Sequence, residues 1–288
     1  MRNALLVILI VAGCAFAGYL FTDLWRHRQD LRQPTAPRGW VALSAVGIFF
    51  LSTLGVSDFA VSTAIYSTTG WVKMKRLPGT LNVQGVLSFI IMGIGFIGTV
   101  HVDPLTLVLL VGAQVIGAVI SPRFVVKLPE RIIKQWLAWG LIIAACFILA
   151  GRLHLIAGNG TATGLTGWKL VLTCVLQMVY GALNNIGIGS YAMTTATIYA
   201  MGLNPIVAFP IMMSGSALSV AAGSSLFIHY GDYDRQLVSV VSVAGILGVV
   251  LGLMAFSHFN IAIISWLILG VLFYTAGNLL YGLHRSRV

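Results

Sequence analysis

Apolar runs about as long as a bilayer is thick recur from one end of this sequence to the other, at about 4–22, 40–54, 58–71, 81–99, 104–122, 135–151, 168–184, 190–203, 206–229, 236–256 and 260–283. A hydrocarbon core of roughly 30 Å asks for about 20 apolar residues per helix. Only short polar stretches separate the runs, the longest at 23–38, 121–134 and 151–168, so no soluble domain is left over. Charged residues make up 8% of the 288, against roughly 25% in a soluble domain. The expected fold class is an all-α polytopic membrane protein forming one transmembrane domain over 1–288.

The net charge of +10 does not point to nucleic acid, because Lys and Arg are confined to loops. Stretch 23–38 holds Arg26, Arg28, Arg32 and Arg38; 73–76 holds Lys73, Lys75 and Arg76; 123–134 holds Arg123, Lys127, Arg131 and Lys134; the tail holds Arg285 and Arg287. The loops at 100–103, 204–205 and 257–259 hold none. Cytoplasmic loops of membrane proteins are enriched in these residues, so the basic loops and the C-terminus are expected inside. "VAGC" at 11–14 and "AFA" at 15–17 resemble processing sites. One arginine before this run and four after it favour instead an uncleaved helix with its N-terminus outside. Cys14, Cys146 and Cys174 fall in apolar runs without metal-ligand spacing and read as buried free thiols. No metal or cofactor is expected. Walker-lysine, HExxH and G-x-S-x-G motifs are missing from the sequence, so it is not read as an enzyme.

Four runs, 40–54, 58–71, 168–184 and 190–203, are too short to span comfortably. They fall in pairs separated by "GVSDFAVSTAIY" at 55–66 and "GIGSYAMTTATIY" at 187–199. Irregular backbone at membrane depth is tolerated where it is buried in protein or lines a wet cavity. The charges alone are compatible with two thin crossings or with half-helices meeting in mid-membrane; length and glycine content favour half-helices. A shift of 132 positions pairs Gly55 with Gly187, Ala60 with Ala192, Thr63 with Thr195, Ala64 with Ala196, Gly70 with Gly202 and Pro78 with Pro210. Each unit, repeat A at 40–151 and repeat B at 168–283, is one broken pair followed by three spans. Odd net crossings make the two units inverted copies, preceded by an N-terminal span and basic loop at 1–39.

Inverted repeats with discontinuous helices are an architecture of secondary transporters. A helix N-terminus carries unpaired amides and about half a positive charge, so it binds anions without a cationic side chain. The second member of each pair begins at its break, so two such ends face the midplane. Ser57, Ser62, Thr63, Ser190, Thr194 and Thr195 lie between them, with Asn184 and Asn185 on the approach. Asn82, Gln84, Gln114, Gln177, Tyr180, Ser214 and Ser216 are further polar groups within apolar runs. In the same register Asn82 pairs with Ser214 and Gln84 with Ser216. Intramembrane hydroxyls also serve packing, but packing alone does not require two breaks. Asp58 is one of only seven acidic residues in the chain. An intramembrane charge is costly and marks function; as a coupling group Asp58 would take up a proton or meet a substrate ammonium, and as a structural group it would cap its helix.

Three stretches resemble the TauE/SafE family of sulfite and organosulfonate exporters, also described as the domain-of-unknown-function 81 permeases. They are "VDPLTLVLLVGAQVIGAVISPRFVVKLPERIIKQWLAWGLIIAA" at 102–145, "YGALNNIGIGSYAMTTATIYAMGLNPIVAFPIMMSGSALSV" from Tyr180, and "GDYDRQLVSVVSVAGILGVVLGL" from Gly231. The likeness covers roughly 40–283. Where the family commonly carries adjacent glycines at the breaks, this chain reads "GVSD" and "GIGS". The resemblance implies movement of small sulfur-containing anions across a bacterial inner membrane, passive or proton-coupled. By position it implicates Ser57, Asp58, Asn184, Asn185, Gly187, Gly189 and Ser190, with Ser214 and Ser216. The expected partners are a small anionic or zwitterionic substrate, protons, the lipid bilayer and a second copy of the chain. The alternatives are a membrane scaffold or assembly protein without transport, and a channel-like anion conduit.

Overall fold

The computed structural model describes residues 2–32, 36–97, 100–153, 155, 160–255 and isolated positions between 270 and 281. The span expected at 260–283, the loop at 257–259 and the basic tail lie outside the described residues but for those positions. The helices are α1 (Arg2–Arg26), α2 (Arg38–Thr53), α3 (Asp58–Thr69), α4 (Leu77–Ile97), α5 (Pro104–Ile120), the single turn α6 (Pro122–Val125), α7 (Glu130–Arg152), α8 (Gly167–Asn184), α9 (Tyr191–Ala200), α10 (Ala208–Tyr230) and α11 (Arg235–Ala255). Among the described residues there is no β-strand, only an isolated bridge between Ala162 and Leu203. Among the described residues, five segments are long and apolar enough to cross a membrane: Ala4–Arg26, Met74–Ile97, Pro104–Val125, Ala208–Tyr230 and Arg235–Ala255. Large apolar side chains such as Val11, Ile116, Val171 and Leu247 stand exposed on their outer faces, as lipid contact requires.

Lipid tails are as apolar as leucine, so helices in a bilayer associate through close packing at small residues. Here such contacts join the two halves of the chain. α2 packs on α11 and α8 on α5, while α4 and α10, the most buried helices, cross at the centre. A side chain at Gly117 of α5 would run into the Met178 carbonyl of α8, and one at Gly248 of α11 into the Val46 carbonyl of α2. Val46 and Met178 are 132 positions apart and Gly117 and Gly248 131, so the two approaches match to within one position. α1 lies against α4 and α10.

The loops sort by charge. On one face Lys75 donates to the carbonyls of Val126 (2.7 Å) and Leu128 (2.6 Å), Arg38 to that of Leu31 (2.6 Å), and Arg235 to Asp23 (2.8 Å) and Asp30 (3.1 Å). This basic face thus gathers residues 23–32 and the loops of 73–76, 121–129 and 231–235. On the opposite face the Asp103 amide donates to Thr163 (2.9 Å), the Asn204 amide to Ala162 (2.8 Å), and Lys169 to the Met201 carbonyl (3.2 Å). The ends of each broken pair therefore lie at one face: α2 starts and α3 ends at the basic face, and α8 starts and α9 ends at the other. Contrary to expectation, Cys14 and Cys146 are exposed and Cys174 half-buried. Their apolar neighbours in sequence mark the outer surface of the bundle, which is as apolar as its core.

Candidate functional site

The two interruptions are built alike. In the first, the amides of Leu54, Gly55 and Val56 donate to the carbonyls of Leu51, Ser52 and Leu51 at 3.0, 2.9 and 3.1 Å. In the second, those of Ile186, Gly187 and Ile188 donate to Leu183, Asn184 and Leu183 at 3.0, 2.9 and 3.1 Å. Gly55 (φ 91°) and Gly187 (φ 98°) supply the left-handed turn, which costs an L side chain roughly 1–2 kcal/mol. The likeness continues into the next helix, where Asn82 Nδ2 donates to Pro78 O and Ser214 Oγ to Pro210 O. These are equivalent bonds at the paired positions.

Each pair is unequal in length. α2 has 16 residues and α3 12, while α8 has 18 and α9 10; at 1.5 Å per residue these are about 24, 18, 27 and 15 Å. The longer member passes the centre: Gly55 meets Phe209 and Met212 at the start of α10, and Gly187 meets Leu81 near the start of α4. The chain then turns back, and the interruptions touch where a side chain on Gly189 would strike the Ser57 hydroxyl and Phe59. Positions 57 and 189 stand 132 apart in the sequence, the interval that also separates Gly55 from Gly187. The N-termini of α3 and α9 open on either side of this contact.

Asp58 is 1% exposed, in the first turn of α3. Capping falls to Ser57, whose Oγ accepts the Ala60 amide at 3.4 Å. Ser52 Oγ donates to Asp58 Oδ1 at 3.3 Å, while Oδ2 has no hydrogen-bond partner among the described residues. Asp58 is the first residue of α3, so its carboxyl stands at the positive end of its own helix. The Tyr191 hydroxyl faces Asp58, Ser52 and Ser216 without closing a hydrogen bond of ordinary geometry. At the equivalent place on α9, Ser190 caps nothing with its side chain. Its hydroxyl instead accepts from Gln114 Nε2 of α5 at 3.2 Å, leaving Gln114 Oε1 unpartnered. Phe89 of α4 stacks on Phe59 (6.2 Å, 5°) and meets Tyr191 edge-on (6.4 Å), walling this centre. Among the described residues no Lys, Arg or His is buried.

The structure thus brings together Ser57, Asp58, Gly189 and Ser190, with Ser216 reached through Tyr191. The other candidates bond elsewhere. Ser62 accepts from Gln84 (3.2 Å), Thr194 from Gln177 (3.3 Å), and Thr195 donates to the Met212 sulfur (3.7 Å). Asn185 donates to Ala118 O and Ser121 Oγ, both at 2.7 Å, and the Asn184 carbonyl accepts from Asn82 at 3.0 Å, which stitches the second interruption to α5 and α4. Thr63 Oγ1 is buried without a hydrogen-bond partner among the described residues. Ser52, Tyr191 and Phe89 were not among the sequence candidates. The available signals were slight: Ser52 lies one turn before the break, and Tyr191 puts a hydroxyl where its counterpart is Phe59. Among the described residues no cluster of His, Cys, Asp and Glu could hold a metal.

Apolar helices of spanning length around a buried polar centre define a multi-pass membrane protein of the transporter class. The chain belongs to the sulfite exporter TauE/SafE family, whose model matches residues 1–148. That span includes the first of the three stretches carrying the resemblance; the other two lie beyond it. No curated protein and no solved structure matches the chain significantly.

Proposed function

We propose that this protein is a secondary transporter that carries a small anion, sulfite, an organosulfonate or a related sulfur oxyanion, across the bacterial inner membrane by alternating access. The observation that carries this reading is the meeting of two like helix interruptions, one opening from each face, at a buried centre to which the described residues bring no cation. Repeats A and B are then inverted copies, and the doubled contacts at Gly117 and Gly248 support that relation. The basic face is the cytoplasmic one, which puts the N-terminus in the periplasm.

The anion docks at the N-terminus of α9. Asp58 already fills the positive end of α3, whereas the first-turn amides of α9 have no side-chain cap. Asp58 sits close enough to such an anion to repel it, and taking up a proton on binding removes the repulsion. Proton coupling is the consequence. Rocking one unit against the other exposes the centre alternately, with the Ser57–Gly189 contact as the seam. The test is uptake and efflux of sulfite, sulfonates, thiosulfate and small carboxylates by the purified protein in vesicles, with and without a pH gradient. Saturable flux that Asp58→Asn uncouples from the gradient supports the reading; a stable protein with no flux of any of these anions overturns it in favour of a scaffold.

A further inference from the structure

Asp58, Ser62 and Tyr66 follow one another at intervals of four and so share a face of α3. Gln84 of α4 bridges the last two: its Nε2 donates to Ser62 Oγ at 3.2 Å, and its Oε1 accepts the Tyr66 hydroxyl at 2.9 Å. The Tyr66 ring is fully buried and lies 6.2 Å from that of Trp71. Trp71 in turn lines a cleft of about 420 Å³ at the basic face, together with Gly70, Lys73, Arg76 and Arg235. A polar line therefore runs from the centre toward this cleft, closed by the Tyr66 ring, which Gln84 holds, with Trp71 beside it. On α9 the matching position is Ile198, buried and without a hydroxyl, so the second unit has no such latch.

The charges of the cleft are unequal in what they can do. Its two acids are engaged, Asp30 with Arg235 at 3.1 Å and Asp234 with the Leu237 amide at 2.9 Å. Lys73 and Arg76 stand exposed on its wall. A low-dielectric recess lined by exposed cations concentrates small anions.

We propose that this cleft is the vestibule through which the centre is reached from the basic face, that Lys73 and Arg76 draw small oxyanions into it, and that Tyr66, held by Gln84, closes the way to Asp58. The inference rests on the carrier reading for the identity of its occupant. It deepens that reading by naming the route and the barrier on one side.

The test uses the full chain in membrane vesicles, with Cys14, Cys146 and Cys174 changed to Ser and Ser62→Cys as a reporter just behind the ring. Paired membrane-impermeant thiol reagents, an anionic and a cationic methanethiosulfonate, are applied to each side in turn. With Tyr66 in place the reporter labels slowly. Tyr66→Phe, which keeps the ring and loses only its hydrogen bond, speeds labelling from the basic side about fivefold, and Tyr66→Ala speeds it further. Lys73→Gln with Arg76→Gln slows the anionic reagent about threefold and spares the cationic one. The proposal is overturned if neither Tyr66 variant labels faster, if labelling rises equally from the opposite face, or if the charge variants affect both reagents alike. Labelling requires no transport, so this pattern without anion flux would sink the carrier reading and leave the vestibule standing, whereas flux without the pattern does the reverse.

Discussion

The interruptions after α2 and after α8 share a backbone and differ in electrostatics. Their turn hydrogen bonds match to the tenth of an ångström and their glycines adopt the same left-handed conformation. Yet the first carries Ser57 and Asp58 where the second carries Gly189 and Ser190. At the first, a hydroxyl caps α3 and a carboxylate occupies its positive end. At the second, α9 starts without a side-chain cap, and its serine is held by Gln114 of α5. The two turns share their geometry, and two positions in each decide that a carboxylate stands at the start of α3 and a serine at the start of α9.

The comparison breaks most severely at Gly189. Gly189→Ser would drive a side chain into Ser57 and Phe59, an overpacking of about 1–3 kcal/mol. Anion flux in vesicles should fall by more than about tenfold, since every 1.4 kcal/mol is a factor of ten. Adding Ser57→Gly, which exchanges the two residues between units, should recover part of the flux; no recovery would show that the contact is not the seam. Next in size is Asp58→Asn. It keeps the shape of the first turn while removing the titratable group, so flux should persist and lose its dependence on an imposed pH gradient. An unchanged gradient response would remove Asp58 from coupling.

Two smaller substitutions separate capping from binding. Ser57→Ala should cost about 1 kcal/mol of stability through the lost cap, read by thermal unfolding in detergent, with anion affinity little changed. Ser190→Ala should do the opposite, weakening affinity about fivefold through one lost hydrogen bond while stability holds. The smallest effect is expected outside the membrane at Asp103, where the amide and hydroxyl of Thr106 hold the carboxyl below its ordinary range. A lowered value means the cap contributes above the ordinary pKa and is lost as pH falls through the lowered one. Asp103→Ala should therefore destabilise the chain by about 1 kcal/mol at neutral pH and by progressively less in acid, as unfolding at several pH values would show.

The helices, the loop charges and the two interruptions were legible in the sequence because each follows from a strong local constraint: bilayer thickness, the cost of charge in hydrocarbon, and a left-handed turn that selects glycine. The same turn constraint singled out the stretches in which Ser57 and Gly189 meet. The pairing of α2 with α11 and α8 with α5 was not legible. The chain has 32 glycines, and nothing in a one-dimensional pattern says that Gly248 meets Val46. Nor could polarity alone say which way a side chain bonds: Asn185, beside the second interruption, reaches out to Ser121, whereas Tyr191, read only as a counterpart of Phe59, turns its hydroxyl toward Asp58.

The interlaced packing bears on how the protein is made. The face of α2 that settles on α11 is complete once Thr53 has left the ribosome, but its partner begins at Arg235. At about 5–20 residues per second, the nascent chain waits on the order of ten seconds or more with that face unmatched. α5 faces a shorter wait for α8. The first half is therefore inserted before it can be assembled. The two halves produced as separate polypeptides should find each other in the membrane or be degraded together, because neither holds the partner of its own opening helix.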